Sequence, residues 1–138
     1  MSDARHEALV TRLAAFDTLV EVGIGERPGT AAALAARGRT VTATDIRNRT
    51  VPAGVTFVQD DVTDPDPAVY ADTEAVYARN LPPELHRPAF DVARAHDATL
   101  LFTTLGGEQP IVPVRRETVG QATLYVAARD RPGADRSD

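Results

Sequence analysis

The sequence predicts an α/β domain built on a mostly parallel sheet. Three observations carry that prediction. Short β-rich runs alternate with helical stretches, and this alternation puts helical crossovers between parallel strands. The first β-rich run ends in a glycine turn, Gly23-Ile24-Gly25, that leads into a helix. The second ends on an acid, Asp45.

The elements follow in order. Residues 4–15 read as a helix, with Leu9, Leu13 and Phe16 on one face and Ser2 or Asp3 as its cap. Residues 18–22 (TLVEV) form the first strand. Residues 28–37 form a helix, with Pro28 at the first helical position and Gly38 past its end. Residues 40–44 (TVTAT) are the second strand and 55–58 (VTFV) the third, the latter followed by Gln59-Asp60-Asp61. Residues 74–78 (EAVYA) are the fourth. A helix spans 87–96, with Pro88 near its start. Residues 98–103 (ATLLFT) are the fifth strand, and 121–127 (QATLYVA) the last, expected to run antiparallel.

Two connections are too short for a full helix. Residues 46–54 hold Pro52 and Gly54, and residues 60–73 hold Pro65 and Pro67 and allow one helical turn at most. No helix separates the fifth strand from the last. Part of one sheet face is therefore expected to lack a helical cover. The expected covers are a second copy of the chain in a two-fold homodimer, or the loops themselves with Ile46, Val51, Val69 and Tyr70 as plugs. Residues 1–129 are expected to form one domain, and residues 130–138 (DRPGADRSD) a disordered tail with almost nothing apolar to bury.

Composition narrows the function classes. A chain of 138 residues buries enough surface to fold without a disulfide, and it has no cysteine, so thiolate catalysis and Cys-ligated zinc are excluded. No apolar run reaches membrane-spanning length, and Met1-Ser2-Asp3-Ala4-Arg5 lacks a signal peptide's apolar core. The expectation is a cytoplasmic protein. The net charge of −5 disfavours a general nucleic-acid binder. All 15 basic residues are arginine, and 13 of the 20 acids are aspartate, a usage that suggests a halophile or a GC-rich genome.

The central motif is Val20-Glu21-Val22-Gly23-Ile24-Gly25-Glu26-Arg27-Pro28-Gly29. Glycines allow a sharp turn and a close approach of ligand to backbone. A dinucleotide loop reads G-x-G-x-x-G, and here its third position is Pro28. Pyrophosphate needs free N–H groups at the helix start; proline has none, and Glu26 adds a repelling charge. Glu21 suits an ammonium group, which S-adenosylmethionine carries and which comes without phosphate. Asp45, 22 residues past Gly23, suits both ribose hydroxyls in either cofactor class. Ile46 beside it joins the candidate set. Asp60 and Asp61 close the third strand, where a side chain meets the adenine amino group. The competing reading of these aspartates is a solvated acidic loop.

These residues resemble the cofactor half of class I methyltransferases, a Rossmann-like fold. More narrowly, VEVGIGERPGTAAALAARGRTVTATDI, YARNLPPEL and LGGE resemble uncharacterised protein family 0146, an archaeal family of small stand-alone proteins. The resemblance implies that Glu21, Gly23, Gly25, Asp45 and Asp60 surround the cofactor. The class I loop usually carries a further glycine where Arg27 stands here. After the fourth strand, Arg79-Asn80-Leu81-Pro82-Pro83 is similar to the N-P-P-aromatic motif of amino-group methyltransferases, with Leu81 inserted. That likeness makes Asn80 the candidate catalytic residue. The competing reading is that the two prolines only start a helical turn.

Other features carry less. His6, His86 and His96 read as isolated surface histidines, with no metal-ligand spacing. Residues 103–108 end the fifth strand on the ligand side and form a lid or a plain loop. Arg115-Arg116 reads as a solvated loop pair, with an anion site as the alternative. There is no Ser-His-Asp set and no Walker lysine. The leading expectation is an S-adenosylmethionine-binding protein, a methyltransferase of unspecified small-molecule or macromolecular acceptor. The alternatives are an NAD-type nucleotide module and a non-enzymatic interaction protein with a relic site.

Overall fold

A computed structural model of the chain describes residues 3–128, with side chains from residue 4. The expected tail at 130–138 lies outside these residues. The strands are β1 (Thr18–Glu21), β2 (Thr40–Asp45), β3 (Val55–Gln59), β4 (Ala75–Ala78), β5 (Thr99–Phe102), β6 (Arg115–Val119) and β7 (Ala122–Ala127). The α-helices are α1 (Asp3–Leu13), α2 (Gly29–Ala36), α3 (Pro67–Tyr70) and α4 (His86–Ala95). One seven-stranded sheet runs in the order β3-β2-β1-β4-β5-β7-β6. The first five strands pair in parallel, and β7 pairs antiparallel with β5 and with β6.

The inner strands are short and buried on both faces, as parallel strands under helices must be. Alternate residues feed two cores. Leu19, Tyr77 and Leu101 pack under α1 and α2 against Val10, Leu13 and Leu34. Val20, Val76, Leu100 and Phe102 pack on the other face against Val62, Tyr70 and Phe90. The link from β2 to β3 has no helix, and α3 is a single turn. Pro67 starts it and the Asp66 carboxylate caps it by accepting from the Ala68 N–H at 3.1 Å. Tyr70, at the end of that turn, is fully buried, and Val69 and Val51 pack half-buried against the cores. Ile46 is 65 % exposed and plugs nothing, which corrects that part of the expectation. Among the described residues, the large apolar side chains left exposed are Ile46, Leu105 and Ile111. None of the described helices is long and apolar enough to cross a membrane.

Two sequence readings change here. Arg115 and Arg116 are not a loop pair; they open β6, an edge strand with only its partner β7 to hold it. Its side chains are largely exposed and polar, so no apolar alternation announced it. Pro28 stands just before α2 rather than inside it.

A two-residue turn, Gly120-Gln121, joins β6 to β7. Both residues have positive φ, 57° and 70°, as a tight hairpin turn of matching twist requires. The hairpin is tied to α1 by a bidentate pair: the Arg12 Nε and Nη2 donate to the two Glu117 carboxylate oxygens at 2.8 and 3.0 Å. A Cβ on Gly120 would lie 2.7 Å from the Ala8 Cβ of α1. Gly120→Ala is therefore expected to lower stability by about 1–3 kcal/mol through strain and overpacking. Urea denaturation reads this, and an unchanged midpoint would show that α1 yields at no cost.

Candidate functional site

The C-terminal ends of β1, β2, β3 and β4 lie side by side, and the site is assembled from the turns that leave them. The glycine turn after β1 is held from β2. The Thr44 carbonyl accepts from both the Gly23 and Ile24 N–H groups at 3.0 Å, and the Asp45 carboxylate accepts from the Gly25 N–H at 2.8 Å. Ile24 is buried and anchors the turn in the core. Gly23 (φ 71°) and Gly25 (φ 58°) take the left-handed conformation that lets the chain reverse there. A Cβ on Gly23 would meet nothing within 4 Å, so the turn faces open space.

Two cavities share Gly23. The first, about 360 Å³, is lined by Gly23, Asp45, Ile46, Asp60 and Asp61, and closed by Val22, Thr44, Val62, Thr63 and Leu85. Five of the sequence-predicted residues thus come together on one cavity. Asp45 is 7 % exposed and its two oxygens accept from the Arg47 and Gly25 N–H groups, with Arg49 Nε 3.4 Å away. Burial pushes its carboxyl up, but these donors outweigh burial and hold it below the usual carboxylate value. One Asp60 oxygen accepts from the Asp66 N–H at 2.9 Å, whereas the other is buried with no partner. Burial, and then the neighbouring Asp66, Asp61 and Asp64 charges, raise its carboxyl. Asp61 is exposed and turns inward on its own loop: one oxygen accepts from the Thr63 N–H and hydroxyl at 2.9 and 2.7 Å.

The second cavity, about 480 Å³, lies beyond Gly23 and is lined by Ile24, Gly25, Glu26, Arg27, Arg47, Arg49, Arg79 and Asn80. Asn80 has a left-handed backbone (φ 55°), which asparagine tolerates better than most residues. Its N–H donates to the Thr103 hydroxyl at 2.8 Å, tying the turn after β4 to the end of β5. Pro82 and Pro83 lead into a 3-10 turn, Pro83–Leu85, that runs on into α4.

Glu21 lines neither cavity. It is fully buried beneath the turn, where the Tyr77 hydroxyl donates to one oxygen at 2.8 Å and Arg79 Nε donates to the other at 3.4 Å. Burial raises its carboxyl, opposed by the Arg79 charge and the Tyr77 hydrogen bond. The expected ammonium partner of Glu21 is thus replaced by an internal guanidinium. Arg79 also donates to the Arg27 carbonyl at 2.6 Å, across the loop position where a third glycine was expected. Sequence reasoning missed Arg47, Arg49, Arg79 and Leu85. The available signal was that Arg47, Arg49 and Arg79 all stand within four residues of the strand ends they follow.

His86 corrects another expectation. It is fully buried, its Nε2 contacts the Leu81 carbonyl at 3.0 Å, and its Nδ1 accepts from the Ile111 N–H at 3.3 Å. A neutral ring with its proton on Nε2 satisfies both bonds. Its role is to pin the loop before β6 to the turn after β4.

A family model described as Uncharacterised protein family (UPF0146) matches residues 5–130. The chain belongs to that family. A UPF0146 protein of Halobacterium salinarum is 59% identical over 116 residues, which cover 83% of this chain and 90% of the relative. Among solved structures, the chain is similar to a TehB-like SAM-dependent methyltransferase from Corynebacterium glutamicum. Their TM-score is 0.62 at 15% identity, covering 91% of this chain and 88% of that one. An RNA methyltransferase from Salinibacter ruber, solved in complex with S-adenosyl-L-homocysteine, gives 0.61 at 18% identity, covering 86% and 88%. These likenesses show a methyltransferase-like Rossmann fold.

Removing one partner of a buried ion pair leaves an uncompensated charge. Arg79→Met is therefore expected to lower stability by about 3–5 kcal/mol at neutral pH. The sign of its pH dependence follows from Glu21, whose folded value is raised above the ordinary 4.5. A carboxyl raised in the folded state contributes stability below its unfolded value and loses it as pH rises through the folded one. Without Arg79 that rise is larger, so the deficit of the variant should shrink as pH falls toward 4.5. Denaturation at several pH values checks this; a pH-independent deficit would remove Glu21 as its cause.

Proposed function

We propose that this chain binds S-adenosylmethionine, with the adenosine half in the 360 Å³ cavity, and acts as a methyltransferase. The observation that carries this reading is the orphaned, buried oxygen of Asp60 on a cavity that also holds Asp45 and the exposed Ile46. An adenine amino group donates the hydrogen bond that this oxygen lacks. Ile46 and Leu85 supply apolar surface for the base. Asp45 retains lone pairs for ribose hydroxyls while it braces Gly25. The bare Gly23 backbone lets the ligand pass from the first cavity to the second.

The fit is good for the adenosine half. At the amino-acid end the cavity offers guanidiniums, and the N–H groups that Arg49 and Arg79 do not spend inside the protein suit the carboxylate. The ammonium is left to Glu26 on the rim, whose side chain is 88% exposed. When bound, the cofactor supplies a methyl group on a sulfonium, already a good leaving group. The chain's part is to hold it and to place an acceptor in line. Asn80 stands on the second cavity, at the strand end from which an acceptor is reached.

An NAD-type nucleotide is the second reading, favoured by the arginines beyond Gly23. Three features weigh against it: the antiparallel β7 inserted between β5 and β6, the missing G-x-G-x-x-G, and Pro28 where a phosphate-binding N–H would stand. Calorimetric titration with S-adenosylhomocysteine, NAD and ATP separates the two readings. The expected result is saturable binding of S-adenosylhomocysteine and weaker or no binding of the others; tight NAD binding without a response to the adenosyl ligand would overturn the proposal.

Ile46 is largely exposed and belongs to neither core, so Ile46→Ser should leave the fold unchanged. It should weaken S-adenosylhomocysteine by about tenfold, since burying such a side chain contributes about 1.5–3 kcal/mol and 1.4 kcal/mol is tenfold. An unchanged affinity would take the base away from Ile46.

A further inference from the structure

The second cavity has a charge that neither the chain's composition nor an adenosyl ligand explains. The whole chain carries 15 basic and 20 acidic residues. Yet four arginines, Arg27, Arg47, Arg49 and Arg79, line this one cavity of about 480 Å³, against a single lining acid, Glu26. The four come from three separate turns, after β1, β2 and β4, so the sheet gathers them rather than one basic run. Clefts lined by one sign of charge concentrate the opposite ion.

The four guanidiniums are not equally committed. Arg79 is held by Glu21 and by the Arg27 carbonyl. Arg49 lies between Asp45 at 3.4 Å and Glu26 at 3.5 Å. It nevertheless has a buried Nε without a hydrogen bond. Among the described residues, the guanidiniums of Arg27 and Arg47 have no hydrogen-bond or ion-pair partner. Two arginines are thus preorganised by the protein, and two are free to close on a ligand. A cofactor carboxylate is one charge and occupies one fork; the others are in excess of it.

We infer that this cavity binds a second ligand bearing phosphate, held by Arg27 and Arg47 beside the adenosyl site and present together with the adenosyl ligand. The inference deepens the function proposed above by assigning the acceptor side of the site a chemical class, a small phosphorylated molecule. Several guanidiniums on one pocket match the several oxygens of a phosphate ester or diphosphate better than a lone carboxylate. A concave pocket on an acidic chain suits a small molecule rather than a nucleic-acid strand, which needs an extended basic track. An adjoining cavity of about 340 Å³ shares Arg27 and Arg79 and is lined by Leu9, Val119 and Leu124, so an apolar body has room beside the charged head.

Inorganic pyrophosphate is the probe. Calorimetric titration of the full chain at constant ionic strength, without and with saturating S-adenosylhomocysteine, is compared across three proteins. These are wild type, the double variant Arg27→Gln/Arg47→Gln, and the control Arg116→Gln on exposed β6. All three substitutions are at exposed positions, and circular dichroism verifies the fold. The expected result is saturable pyrophosphate binding that persists with S-adenosylhomocysteine, falls at least tenfold in the double variant, and is unchanged in the control. No binding, or equal loss in the control, overturns the site. Displacement by S-adenosylhomocysteine overturns the separate ligand and assigns the arginines to that ligand's own carboxylate. Pyrophosphate binding is measured without the cofactor as well. A chain that ignores S-adenosylhomocysteine but binds pyrophosphate through Arg27 and Arg47 therefore refutes the proposed function and leaves the anion site standing.

Discussion

Glu21 brings a carboxylate into the interior at the end of β1, and the surrounding structure answers it. A buried charge is costly unless it is paired and hydrogen-bonded. Tyr77 and Arg79, on the neighbouring β4 and just beyond it, meet its two oxygens. This requirement aligns the ends of β1 and β4. It also fixes Arg79 at the wall of the second cavity, where the same guanidinium braces the Arg27 carbonyl. An acid that reads in the sequence as a ligand contact is instead buried beneath the turn, where it holds Arg79 at the cavity wall.

The end of β2 plays the complementary part. Three consecutive N–H groups of the glycine turn are absorbed by Thr44 and Asp45, so the turn is satisfied internally and its open face is left free. Asp45 is bound tightly enough that its carboxyl is held below the usual value despite burial. Asp60, one strand further out, is in the opposite state, with one oxygen satisfied and the other orphaned. Two aspartates at equivalent strand ends therefore differ in what they offer a ligand. The first is a brace with spare lone pairs, and the second an unmet acceptor. Polarity of the two cavities diverges in the same way, acidic and apolar on the β2–β3 side, cationic past Gly23.

Much of the architecture was legible in the sequence because its signals are local. The β-rich runs, the glycine turn and the prolines that shorten the crossovers each act within a few residues. Asp45, Ile46, Asp60 and Asp61 could be grouped from the sequence because the strand ends of an open α/β sheet meet in one crevice, and they line one cavity in the structure. The strand β6 was not legible, because an exposed edge strand has no apolar alternation, and its Gly120-Gln121 turn was the one local clue. His86 was misjudged as a surface residue because its burial depends on Leu81, Phe102 and Ile111, which the chain brings to it only after folding.

The sequence by itself determined the fold class, the antiparallel last strand and the set of acids along the crevice, since turn chemistry and residue periodicity settle these before any long-range contact forms. Only the tertiary structure decided which groups remain free for a ligand. Glu21 is separated from Tyr77 by 56 residues and from Arg79 by 58, and its pairing with them is a matter of strand order rather than of sequence pattern. The arginine cavity is decided in the same way. Arg27, Arg47 and Arg79 follow three different strands, and they share a wall only because β1 lies between β2 and β4. Charge in a sequence is a sum, whereas charge at a site is an arrangement, and here the arrangement opposes the sum.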